Sequence, residues 1–350
     1  MSTSYSKDLQ TSVRLTLAFL LLILGTGWWI WDVEFQGFSL SQLWDSTDGA
    51  LFFLSLLLIS LAMPCVAMRW RALFPSERKK SASPIYLTGI LCAAFVFNFA
   101  LPGPVGEALS AWMAKQRSDI SFSEALAGLG LSRIIGLGSA CTIAGLVYWI
   151  APFNIPDQWG GALKVATVLL SIAAICLLCI AVFPIVFKER IAQIRTWALF
   201  RPTALQKIFD AADHLFDALS ATAGRGTKAY LESIAWSLFG HAMVAIGIFL
   251  AIQSMGQTAA WSAVMFTYTA SIAGSVAMFM FPGSSVGWDA LFATTLSVTA
   301  NLPVTVATAV TVVIRLQQMI VALIGVLMVW TYAKEFLRER FSSTDGPPTE

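Results

Sequence analysis

The stretch that decides the fold is Leu101-Pro102-Gly103-Pro104-Val105-Gly106-Glu107-Ala108-Leu109, which runs through an apolar segment to Arg133. The chain then repeats the arrangement. Pro282-Gly283-Ser284-Ser285-Val286-Gly287-Trp288-Asp289-Ala290-Leu291 leads, through another apolar segment, to Arg315. Glu107 and Arg133 are 26 positions apart, and so are Asp289 and Arg315. Proline removes a backbone donor and clashes with the preceding turn, and glycine carries a large entropic cost inside a helix. An ionisable group at membrane depth loses its hydration and faces the protein interior. A chain that accepts both penalties at two matching places marks those places as functional.

Composition supplies the membrane. Of the 350 residues, 57% are hydrophobic and 12% charged, against about 25% charged in a soluble domain. Several apolar runs reach the roughly 20 residues needed to cross a bilayer. The fold class is therefore an all-α polytopic membrane protein. Cys65, Cys92, Cys141, Cys176 and Cys179 all lie in apolar segments and read as small packing residues. The first apolar run has no small-residue cleavage site, so no removable signal peptide is expected.

Charge sets the topology. Spans are expected at 15–31, 49–68, 121–150, 162–187, 229–252 and 304–332. The loop at 32–48 carries Asp32, Glu34, Asp45 and Asp48 and no base, whereas Arg69, Arg71, Arg78, Lys79 and Lys80 follow the second span. Basic loops stay in the cytoplasm. On this rule all 22 Lys and Arg except Arg133, Lys164 and Arg315 lie on the inner side or in the tails, and both termini are cytoplasmic. Lys115 and Arg117 return to the inner side only a short apolar segment after the first break. That predicts a re-entrant hairpin at 85–114, and a second at 262–300, entering from outside. Backbone broken at membrane depth is tolerated where protein or a wet cavity covers it.

The sum is about six full spans plus two hairpins, in two inverted-topology repeats. The first membrane repeat is 1–161, the second 162–340, and 341–350 is a disordered tail. Inverted repeats are an architecture of alternating-access transporters. Gly128, Ser132, Gly136, Ala140 and Ala144 form a small-residue stripe suited to close helix packing. Within the basic segment 188–228, Leu205, Ile208, Phe209, Ala212, Leu215, Phe216 and Leu219 predict an amphipathic helix on the membrane surface.

Arg133 and Arg315 each lie about a dozen residues into their spans, near the midplane, with Glu107 and Asp289 as partners. A guanidinium stays charged and binds phosphate bidentately, and broken helices aim free amides at a cavity. The expected substrate-binding set is Arg133, Arg315, Glu107, Asp289 and Asn98, with Pro102, Gly103, Gly106, Pro282, Gly283 and Gly287 shaping the two breaks. The rival reading is two ion pairs that pin hairpins to spans. His241 reads as a hydrogen-bonded packing residue ahead of a proton relay, and Glu232 as a snorkelling interfacial acid. Asp210, Asp213, His214 and Asp217 fit the solvated face of the amphipathic helix rather than a metal cluster. Arg69, Arg71, Arg78, Lys79 and Lys80 are expected to contact anionic lipid. No phosphate-binding glycine loop, nucleophile elbow or zinc motif is present, so no catalytic residue, metal or cofactor is expected.

Taken together, these residues resemble the transmembrane region of the lysylphosphatidylglycerol synthase family, also called flippase-like membrane proteins. The resemblance is carried by Arg69-Trp70, Asn98, Leu101-Pro102-Gly103, Gly106-Glu107, Arg133, Pro282-Gly283, Gly287, Asp289 and Arg315, and covers most of residues 10–335. It implies a lipid-translocating membrane domain with two re-entrant hairpins. The family often has arginine just after the first acid, where this chain has Ala111 and Trp112, and Glu where it has Asp289. Nothing after residue 340 resembles the soluble aminoacyl-transferase domain, so synthase activity is not implied. The expectation is a lipid transporter or flippase of the bacterial inner membrane, moving an anionic or polyprenyl-phosphate lipid, and no nucleic acid. The alternatives are an integral membrane lipid- or glycosyl-transferase, or a partner subunit of a lipid-modifying enzyme. A homo-oligomer is possible on the same reading.

Overall fold

The computed structural model describes residues 47–100, 105–151, 155, 157–182, 189, 193, 220, 226–278 and 284–342. The described residues are helical and contain no strand. The elements are α1 (Gly49–Ser60), α2 (Ala62–Ala72), α3 (Pro84–Ala100), α4 (Val105–Arg117) and α5 (Phe122–Ile150). They continue with α6 (Asp157–Val182), α7 (Thr227–Ser254), α8 (Trp261–Met278), α9 (Ser284–Ala300) and α10 (Val304–Ser342). The expected first span at 15–31 and most of the amphipathic segment 188–228 lie outside the described residues, as does the tail 343–350.

Among the described residues, five segments are long and apolar enough to cross a membrane: Gly49–Ala72, Phe122–Ile150, Asp157–Ala181, Thr227–Ser254 and Val304–Met328. The first combines α1 and α2. Pro64 has no N–H for the Ser60 carbonyl and crowds that turn, so the helix is interrupted at Leu61. The span also runs past its expected end at 68. Arg69 and Arg71 are helical and occupy the last turn, where cations complement the carbonyl end of the helix.

Local signals explain the other starts. Ser121 caps α5, accepting from the Glu124 amide while the Glu124 carboxylate accepts from the Ser121 amide. Asp48 caps α1 through the amides of Ala50 and Leu51. Asn301 takes the left-handed conformation, φ 52°, between α9 and α10, a role that asparagine fills more readily than most residues.

The packing is reciprocal. The helices flanking each Pro-Gly break pack on one another, α3 on α4 and α8 on α9. The second helix of each pair packs on the span that follows it, α4 on α5 and α9 on α10. The first helix of each pair packs across the chain onto the other pair's span, α3 on α10 and α8 on α5. At the centre α7 lies against both α1 and α2. One buried cluster joins Ile59, Ile248, Ile252, Phe292, Leu296 and Val310. A second joins Trp70, Phe74, Leu87, Ile90, Ala111 and Leu129.

Candidate functional site

Glu107 sits in the first turn of α4, after the first break, where a carboxylate complements the amino end of a helix. Arg133 lies eleven residues after Phe122, and Arg315 eleven after Val304, each about 17 Å along its helix. The structure pairs the residues as their spacing predicts. Arg133 Nη2 donates to Glu107 Oε1 at 3.3 Å. Arg315 Nε donates to Asp289 Oδ1 and Oδ2 at 2.9 and 3.1 Å, and its Nη2 reaches Oδ1 at 2.8 Å.

The two pairs differ in character. The Arg133 side chain is 49% exposed and that of Arg315 20%. Arg315 also donates to Gln318 Oε1, and its guanidinium lies 5.4 Å from the centre of the Trp288 ring, which stacks on Phe292. Carboxylate, amide and aromatic face together hold Arg315 in one orientation. Arg133 has more freedom to reach for another anion.

Gly106 is buried at the start of α4. Pro102, Gly103, Pro282 and Gly283 lie outside the described residues. Asn98 is placed in α3 and Gly287 in α9, but their immediate surroundings also lie outside what is described. The cluster of Asp210, Asp213, His214 and Asp217 falls outside as well. Among the described residues no group of three or more His, Cys, Asp or Glu is placed to hold a metal.

Three of the cations at and after the end of α2 bond to protein groups. Arg78 pairs with Glu124 of α5 at 2.6 Å, and Lys79 with Glu232 of α7 at 3.0 Å. Arg71 donates to the carbonyls of Ala82 and Lys79. Glu232 is thus paired with a cation of that loop. The contacts of Arg78 and Lys79 fasten the α2–α3 loop to two spans.

Arg69 departs furthest from expectation. It is buried, at 7% exposure, between α2, α5 and α7. Its Nε donates to Ser132 Oγ at 2.9 Å and its Nη1 to Ser237 Oγ at 3.2 Å, while its carbonyl accepts from Ser233 Oγ. One turn on, His241 Nε2 donates to the Gly136 carbonyl at 3.1 Å and its ring meets that of Tyr268. Gly136 makes room for all this, since a Cβ there would collide with the Arg69 guanidinium. Trp70, the next residue, packs over Gly128 and donates to the Ala125 carbonyl at 3.1 Å. Gly128, Ser132 and Gly136 of the α5 stripe therefore form a trough for the Arg69 and Trp70 side chains. The signal that marks Arg69 is on α7: Ser233, Ser237 and His241 recur every four residues in an apolar span and form one polar face.

Fold and site together define a multi-pass helical membrane protein with two helix-borne arginine–carboxylate pairs and a buried arginine beside one of them. The chain matches the family described as the lysylphosphatidylglycerol synthase TM region over residues 15–325, and it belongs to that family. No curated protein and no solved structure matches it.

Proposed function

We propose that this protein carries an anionic lipid, a glycerophospholipid or a polyprenyl phosphate, between the leaflets of a bacterial inner membrane. The single observation that carries the reading is the pair of arginine–carboxylate contacts, each arginine eleven residues into its span and each acid just beyond a Pro-Gly break. A guanidinium already pre-organised against a carboxylate is ready to exchange that partner for a phosphate. The carboxylates neutralise the arginines when no lipid is bound, or take up a proton as lipid displaces them.

The reciprocal packing supports two inverted repeats around one central site. Exchange of α3·α10 for α8·α5 is the relation a two-fold axis in the membrane plane would impose. On this reading α3–α4 and α8–α9 are re-entrant hairpins entering from opposite sides, both termini are cytoplasmic, and membership of a lipid-related family fits the cargo. Purified protein in phosphatidylglycerol-containing vesicles, with a fluorescent phosphatidylglycerol analogue in one leaflet and dithionite as quencher, tests the proposal. Leaflet exchange above that of protein-free vesicles is the expected result. An unchanged rate with monodisperse, correctly inserted protein contradicts it.

A further inference from the structure

Arg69 presents an unbalanced charge. Its guanidinium has five N–H groups in a planar fork. It donates to two serine hydroxyls, Ser132 and Ser237, and among the described residues no carboxylate lies within ion-pair distance. Hydroxyl dipoles do not neutralise a cation, and an uncompensated buried charge is costly. Arg133 aggravates the cost. It follows Ser132 in α5, and the two arginines are close enough to repel. Arg315 is already matched by Asp289, and Arg133 by Glu107. Among the described residues, the two arginines about Ser132 therefore face one carboxylate, Glu107, which leaves one positive charge over.

The surroundings are built to keep the charge where it is. Ser132, Ser237 and the gap at Gly136 fix the guanidinium from three sides, and His241, one turn along α7, spends its Nε2–H on the Gly136 carbonyl instead of competing for a ligand. The Arg133 side chain is half-exposed and Arg69 is buried, and Ser132, the residue before Arg133, accepts from Arg69.

We infer that Arg69, with Ser132 and Ser237, is the inner part of an anion site entered past Arg133, and that it takes a phosphate oxyanion with net negative charge. This deepens the transport reading and rests on it for the source of the ligand, but binding and movement are separable. The site makes the protein selective for anionic over zwitterionic lipid because only an anion cancels the surplus charge, whereas the choline of a zwitterion brings a second cation among arginines.

The test is the thermal unfolding of detergent-purified full chain with dihexanoyl phosphatidylglycerol, dihexanoyl phosphatidylcholine or sodium phosphate. Wild type is expected to be stabilised by phosphatidylglycerol and much less by phosphatidylcholine. Stabilisation by sodium phosphate as well shows that the oxyanion alone is read, and stabilisation by the lipid only shows that a headgroup with its glycerol is needed; both uphold the site. Arg69→Gln should abolish the selective shift, while Lys164→Gln, an exposed cation on α6, keeps it. If Arg69→Gln does not fold, Gly136→Ala serves, because the new methyl displaces the flexible end of Arg69 without altering charge, and should weaken phosphatidylglycerol binding about tenfold. Equal stabilisation by both lipids, no stabilisation of wild type, or an undiminished shift in either variant overturns the inference. Selective binding without leaflet exchange would refute transport and leave the site standing. Exchange with Arg69→Gln binding like wild type would do the reverse.

Discussion

Arg315 holds Asp289 through two guanidinium nitrogens, Nε at 2.9 and 3.1 Å and Nη2 at 2.8 Å, whereas the equivalent pair in the other half of the chain makes one contact at 3.3 Å. The difference has a local cause. Trp288 and Gln318 fix the guanidinium of Arg315, and half of the Arg133 side chain is exposed. One arginine is thus anchored and the other is available.

Stability should reflect that asymmetry. Removing one partner of a buried pair costs about 3–5 kcal/mol. Asp289 is a third exposed, so Asp289→Asn is expected to cost about 1–3 kcal/mol after allowance for solvent screening. Glu107→Gln should cost less, under about 1 kcal/mol, because Arg133 can turn to solvent or headgroups. Unfolding in mild detergent, with Asp289→Asn, Arg315→Gln as the double variant, measures the coupling. Simple additivity of the two changes would show that the contact does not hold α9 to α10.

Helix contact gives a second outcome. At Gly325 of α10 an added Cβ would strike the backbone of Cys92 and Ala93 in α3, which cannot swing aside. Gly325→Ala should therefore destabilise by about 1–3 kcal/mol or more through overpacking. Gly160 of α6 has nothing within 4 Å of the same position. Gly160→Ala should be neutral or slightly stabilising, since it lowers the entropy of the unfolded chain. Equal melting temperatures for the two variants would contradict the close approach of α10 to α3.

The ion pairs were legible from sequence because the evidence for them is one-dimensional: a repeated 26-residue interval and charges where apolar residues belong. The five spans among the described residues were legible for the same reason. Arg69 was not. A cation that ends an apolar run and precedes Arg71, Arg78 and Lys79 has the local pattern of an interfacial anchor. What turns it inward is remote in sequence: Ser132 and Gly136 on α5 and Ser237 on α7. Lys79 and Glu232 are likewise 153 residues apart. Local pattern reports the cost of a buried charge but not the partner that meets it.

Orientation can be read by labelling. Lys115 is exposed at the end of α4, Ile155 lies between α5 and α6, and Thr258 is exposed between α7 and α8. Single cysteines there, in a background in which the native cysteines are replaced, should react with an impermeant maleimide from the cytoplasmic side at 115 and from the opposite side at 155 and 258. Positions 115 and 155 reacting from the same side would contradict a hairpin at α3–α4 followed by a full span at α5.

The most direct measurement is leaflet exchange of a labelled anionic lipid by arginine variants in proteoliposomes, with monodispersity and insertion checked in parallel. If the arginines hold the phosphate, both charge and fork geometry matter. Arg133→Lys and Arg315→Lys should each slow exchange about tenfold while remaining folded, and Arg133→Gln, Arg315→Gln should reduce it to the rate of protein-free vesicles. A folded Arg133→Gln, Arg315→Gln variant that moves lipid at the wild-type rate would contradict the account.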